Sequence, residues 1–149
     1  MAYKNPSSTY KETTIKTAGQ GQLIVMLYDV AVKQLVKAIN LLEEDNKQQK
    51  QDPGRIEQIN KAIMKTEEII TELMVSLDFE QGGEISKNLF SLYTWFNKEL
   101  IEANIDKDTG RLTTVKRLLT ELRDSWSEIA SQNTVDYSNR EAVGLNIAG

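Results

Sequence analysis

The residues of this chain best suited to chemistry fall in a few short clusters, and each can be set against the spacing its chemistry demands. Asp106-Lys107-Asp108-Thr109-Gly110 has the composition of a calcium loop. An EF-hand, however, needs glycine at loop position 6 and a bidentate glutamate at position 12. Counted from Asp106, those places hold Arg111 and Arg117, so the segment reads as a tight turn between helices. Gly19-Gln20-Gly21 resembles the start of a dinucleotide fingerprint, but the third glycine is missing and no strand precedes it. It reads as a helix entry. Glu43-Glu44-Asp45 and Glu67-Glu68 supply carboxylates, yet a di-iron bundle needs inward Glu-x-x-His pairs and the chain has no histidine. These acids sit beside polar neighbours and read as solvated faces.

The two missing residue types exclude more. Without cysteine there is no disulfide framework, thiolate nucleophile or Cys-based zinc site. Without histidine there is no imidazole base and no Ser-His-Asp arrangement. Helical enzymes working with Arg, Lys and Glu alone need cations converging in an enclosed apolar site. Here Arg55 and Arg111 stand at helix starts, Arg140 lies in the tail, and Arg117 and Arg123 fall off the helix seam. No catalytic residue, metal or cofactor is expected.

The elements that carry these residues are helical throughout. Residues 1–18 are rich in Ser, Thr, Lys and Asn and are expected to be a flexible segment. Thr17-Ala18-Gly19-Gln20 has the form of a capping box, which starts the first helix near Gln20 and carries it to about Asp45. Its apolar stripe is Leu23, Leu27, Val30, Ala31, Leu35, Ala38 and Leu42, spaced three and four apart. Ile24, Val25, Val32, Val36 and Ile39 widen that stripe beyond one face. Asp52-Pro53 reads as an N-cap followed by proline at the first helical position. The second helix then runs to about Leu77 along Ile56, Ile59, Ile63, Ile70, Leu73 and Leu77, with Met64, Ile69, Met74 and Val75 partly outside the stripe. Gly82-Gly83 interrupts the pattern. The third helix is expected over about Glu84–Asn104, along Ile85, Leu89, Leu92, Phe96, Leu100 and Ala103. The fourth holds Val115, Leu119, Leu122, Trp126 and Ile129 in a bundle seam. A polar tail over 132–149, disordered or docked, is expected to follow the bundle of 19–131. Short connections place consecutive helices antiparallel. The expected fold is all-α: an antiparallel up-down four-helix bundle.

Bulk properties narrow the partners. A formal net charge of −4 disfavours a nucleic-acid backbone. No stretch approaches the roughly 18 apolar residues of a membrane span, and MAYKNPSSTYKETTIK has no apolar core of a signal peptide. A cytoplasmic location, no membrane insertion and no nucleic-acid partner are expected. Phe90, Tyr93, Trp95 and Phe96 cannot share one narrow face, because successive helical residues turn by about 100°. Some of them stand at the edge, where either a wide core or a partner surface accounts for them.

Tyr10 with Lys11-Glu12-Thr13, LIVMLYDVA at 23–31, ITELMVSLDFEQGGEISKNLFSLYTWFNKELIEANI at 70–105 and VKRLLTELRDSW at 115–126 together resemble the flagellin export chaperone family FliS, over roughly residues 10–130. Gly19-Gln20-Gly21 stands where that family often has Ser-Pro, and Val30 where it often has glycine. The resemblance implies a cytoplasmic export chaperone, not an enzyme. It would bind the C-terminal region of flagellin, prevent premature polymerisation and keep the cargo competent for flagellar type III secretion. Components of the flagellar export apparatus are the further partners implied. It also implies an N-terminal segment around the tyrosine that caps the groove until cargo displaces it. On this basis Ile24, Val25, Val32, Ile69, Phe90, Tyr93, Ile101 and Leu118 are expected to line cargo grooves, with Tyr10 and Ile15 over part of that surface in the free protein. The alternative is a helical adaptor or regulator that binds another partner's apolar helix through the same surfaces.

Overall fold

A computed structural model describes residues 20–147, with side chains described over 20–132. The capping box at Thr17, the segment 1–18 with Tyr10 and Ile15, and the tail's Val143, Leu145 and Ile147 side chains lie outside the described residues. Four helices follow in order: α1 Gln20–Gln48, α2 Pro53–Val75, α3 Phe79–Asp106 and α4 Thr109–Ile147. There is no strand among the described residues. α4 continues through the polar stretch beyond 131, so the backbone shows no helix end where the tail is expected to begin.

Residues 27–121 form one compact unit, and among the described residues those from Gln20 to Met26 form a second with those from Leu122 onward. The first unit is a four-helix bundle. Its core takes Tyr28, Ala31, Leu35, Ala38 and Leu42 from α1, and Ile59, Ile63, Ile70 and Leu73 from α2. α3 adds Tyr93, Phe96, Leu100 and Ala103, and α4 adds Leu112, Val115 and Leu119. The three-and-four spacing puts each set on one helix face. In the second unit Gly21 lies in the first turn of α1 against Ala130 of α4. A Cβ on Gly21 would sit 3.1 Å from the Ala130 Cβ, so the glycine permits this close approach.

The connections are built from side-chain caps. α1 ends with Gln49 at a positive φ of 52° and Lys50 N–H donating to Asp45 O. Asp52 caps α2 by accepting from Gly54 N–H at 2.8 Å, and Pro53 fills the first helical position as expected. Arg55 donates to the buried Asp45 at 2.5 Å, joining the end of α1 to the start of α2. Asp45 is therefore a paired internal group and not part of a solvated face. At the next junction Lys107 adopts the left-handed conformation at the end of α3. Its ammonium donates to Asn60 Oδ1 of α2, and to Asn104 O and Oδ1. Asp108 then accepts from Gly110 and Arg111 N–H groups, so the segment with a calcium-loop composition is a helix cap. Arg111 bridges from α4 back to Glu99 and Glu102 of α3.

The Gly82-Gly83 pair does not precede α3 but lies inside it. Asp78 starts the helix by accepting from Glu80 and Gln81 N–H at 3.0 Å each, and one turn forms before Gly83 kinks the chain at φ 50°, ψ −122°. That conformation is essentially restricted to glycine. Gly82 has a separate reason: a Cβ there would lie 1.8 Å from Ser86 Oγ, which donates to Asp78 O across the kink. The expected α3 seam holds over Phe96, Leu100 and Ala103, which are buried, and differs in the turns nearest the kink. Ser86 and Tyr93 are buried, Leu89 and Leu92 are half-buried, and Ile85 is 69% exposed. Val30 and Ile129, expected in their stripes, are also exposed. Nothing lies within 4 Å of a Cβ built on Gly83, so Gly83→Ala should cost backbone strain alone, about 1–3 kcal/mol. Urea denaturation should show the unfolding free energy fall by that amount, through a lower midpoint at an unchanged slope, with the helical circular dichroism retained.

Candidate partner-binding surface

The aromatic group of α3 divides by helical angle. Phe96 is fully buried and Tyr93 is 2% exposed, whereas Phe90 is 43% exposed and Trp95 lies at the surface against the Phe96 ring. Tyr93 is thus a core residue and not a groove residue. Its hydroxyl meets that of Tyr28 at 2.5 Å, a pairing that two buried phenols require. Ile69 is also withdrawn from the expected surface: at 3% exposure it belongs to the inner face of α2. The remaining expected groove residues are accessible to different degrees. Phe90 and Ile101 are exposed, while Val32, Leu118 and, in the second unit, Ile24 and Val25 are half-buried.

The structure brings Phe90 and Ile101 together on one flank of α3, the flank that turns toward α2. Asn97 on that flank donates to Thr71 of α2 at 3.3 Å, and the Lys107–Asn60 contact repeats the pairing further along. The two contacts share one antiparallel register of the helices. Between and beyond them stand Met64 and Val75 of α2 and Ile105 of α3, all exposed, and Phe79 at the junction. Phe79 packs edge-on to Phe90 with ring centroids 5.9 Å apart. Met64 and Val75 lie outside the α2 stripe as their spacing suggests. Phe79 and Ile105 carry no periodic signal, because each sits at a helix end where the pattern stops.

A cavity of about 200 Å³ opens elsewhere in the bundle unit, at the end lined by Leu42, Asp45, Ile56, Ile59 and Lys107. The Asp45 carboxylate is paired with Arg55, and the Lys107 ammonium is enclosed by Asn60 and Asn104. Burial pulls the Lys107 pKa below its ordinary value, but its donors are already directed at three oxygens. Among the described residues no group of three or more carboxylates is placed to hold a metal ion, and no helix is long and apolar enough to cross a membrane.

Six of the exposed apolar side chains, Met64, Val75, Phe79, Phe90, Ile101 and Ile105, stand on the α2–α3 pair, and apolar surface of this kind suits a protein partner. The model of the family described as flagellar protein FliS matches residues 3–133, and the chain belongs to that family of flagellar secretion chaperones. It is 30% identical over 136 residues to the flagellar secretion chaperone FliS of Bacillus subtilis, spanning 91% of this chain and 94% of the relative. To the Escherichia coli chaperone of the same name it is 35% identical over 117 residues, 78% of this chain and 80% of the relative. The Salmonella typhimurium chaperone is 33% identical over 128 residues, 85% and 88% of the two chains.

The Tyr28–Tyr93 pair yields a test of the core assignment. Tyr28→Phe leaves the Tyr93 hydroxyl buried without this partner and should cost about 1–3 kcal/mol, and the double substitution to Phe should recover part of the loss. Burial raises the Tyr93 pKa above its ordinary value, against a smaller lowering by the Tyr28 hydrogen bond. The folded state therefore holds this proton more tightly than the unfolded chain. That contribution is complete below the ordinary tyrosine value of about 10 and is lost as pH rises through the higher folded value. Melting temperatures from pH 8 upward should fall more steeply for the unsubstituted chain than for the double variant once pH passes about 10, over the interval up to the folded value.

Proposed function

We propose that this protein is a cytoplasmic export chaperone that binds the C-terminal region of flagellin, prevents its premature polymerisation and keeps it competent for flagellar type III secretion. One observation carries the reading: a member of the flagellar secretion chaperone family exposes Met64, Val75, Phe79, Phe90, Ile101 and Ile105 along a single helix pair. A filament subunit's terminal segment exposes apolar residues when it is kept from assembling. Laying such a segment along an extended seam buries that surface. The cost of ordering it favours a long contact over one deep pocket. The seam from Phe90 to Ile105 is about 22 Å long at 1.5 Å rise per residue, enough for four turns of a docked helix. The N-terminal segment, with Tyr10 and Ile15, covers part of the cargo surface in the free protein and is displaced when cargo arrives. Components of the export apparatus receive the complex, and no nucleotide or reaction is involved.

Titration calorimetry with the C-terminal segment of flagellin tests this directly. Phe90→Asp and Ile101→Asp should each weaken binding by about tenfold or more, since each removes buried apolar contact and buries a charge. Their circular dichroism melts should stay close to that of the unsubstituted chain, because both side chains are outside the core. Full-strength binding by both variants rejects the seam as the cargo site. Deleting residues 1–16 should speed or tighten cargo binding, and a marked weakening rejects the cap.

A further inference from the structure

We infer that Glu67 is a recognition carboxylate: it receives a lysine or arginine that the docked segment carries among its apolar residues. The inference rests on the flagellin reading and adds the chemistry of one contact to it. Glu67 stands on the α2 flank that turns toward α3. Its neighbours three and four residues away are Ile63, Met64, Ile70 and Thr71, so its own helix offers it no cation. Other acids of α2 are placed differently: Glu57 pairs with Lys61, and Glu68 with Lys65. Glu67 is half-buried, and burial raises its pKa above the ordinary glutamate value. It is not a solvated group of the kind its sequence neighbours suggest.

Its surroundings define what would satisfy it. In the register set by Thr71–Asn97 and Asn60–Lys107, Glu67 falls opposite Ile101, with Met64 and Ile105 a turn to one side. A turn to the other side, Asn97 Nδ2 donates to Thr71 Oγ1 while Asn97 Oδ1 is buried with no donor. The Thr71 hydroxyl already donates to Glu67 O. This part of the seam therefore holds more acceptors than donors, between exposed apolar side chains. A carboxylate kept there weakens the free protein, because its charged form is partly desolvated and uncompensated. A cation arriving with a partner removes that penalty and makes a charge-assisted hydrogen bond in water-poor surroundings. An apolar or acidic group at the same place would leave the carboxylate buried and unpaired, so the contact discriminates among segments. The net charge of −4 favours the approach of a basic segment over a longer range.

The test uses the full chain and the C-terminal segment of flagellin. Glu67→Gln keeps the shape and removes the charge, and should raise Kd about tenfold or more. Replacing each Lys and Arg of the segment by Gln in turn should find one position that loses a similar factor against the unsubstituted chain and little further against Glu67→Gln. Glu67→Met should melt higher than the unsubstituted chain, by about 2 °C or more. If Glu67→Gln binds as tightly as the unsubstituted chain, the inference is overturned and the flagellin reading stands. A Glu67→Met variant that melts lower makes the carboxylate structural and also overturns it. If the unsubstituted chain does not bind the segment at all, the flagellin reading fails and takes this inference with it.

Discussion

The hydroxyl pair of Tyr28 and Tyr93 sets the rotation of α3, and the character of the outer surface follows from that rotation. Both phenols are buried, and each would lose about 1–3 kcal/mol if its oxygen were left without a partner. The two oxygens meet at 2.5 Å with Tyr93 turned inward. With Tyr93 inward, Phe96, Leu100 and Ala103 follow it into the core at intervals of three and four. Phe90, Ile101 and Ile105 are then carried to the flank beside α2, and Trp95 to the opposite flank. A turn of one residue, about 100°, would exchange these roles and bury the surface that the bundle presents. The inner and outer faces of α3 are therefore one decision.

The first turns of α3 are compatible with that setting. Asp78 begins the helix, Gly83 redirects it after one turn, and Ser86 closes the kink back onto Asp78. The kink holds Phe79 against Phe90, so an aromatic pair extends the apolar seam past the start of the regular helix. An uninterrupted helix from Phe79 could not keep this geometry, because Gly83 has dihedrals that other residues adopt only at considerable cost.

Much of the fold was legible because it rests on local rules. The Asp52-Pro53 cap, the polar turn after Asp106 and the stripes of α1 and α2 depend on residues close in sequence. The α3 seam was not legible in detail, since Ile85, Leu89 and Leu92 form an equally good periodic row. Choosing between that row and Ser86 with Tyr93 needs the long-range contact with Tyr28, whereas Phe96, Leu100 and Ala103 are buried as their spacing predicts. Similarly, Ile69 reads as an outer residue by its angle on α2, but the core reaches far enough around that helix to bury it. Phe90 and Ile101 were recognisable from the excess of bulky residues on α3. Glu67 was not, because its two sequence neighbours Thr66 and Glu68 make it look solvated. What matters is the environment three and four residues away and across the seam.

The polar residues between α2 and α3 explain how the seam can be both ordered and open. A groove closed by apolar packing would fix the register of the two helices but leave no surface for a partner. Here Thr71–Asn97 and Asn60–Lys107 act as rungs at separate heights, and each holds the helices in register through hydrogen bonds that occupy little volume. The apolar side chains between the rungs are then free to remain exposed, because the alignment of α2 with α3 does not depend on their packing against each other. Their exposure costs stability that the buried face of each helix must supply, which is consistent with the fully buried Ile59, Ile63 and Ile70 of α2 and Phe96 and Leu100 of α3. A helix pair aligned by polar rungs and anchored from behind can accept a segment along its length without rearranging its own backbone.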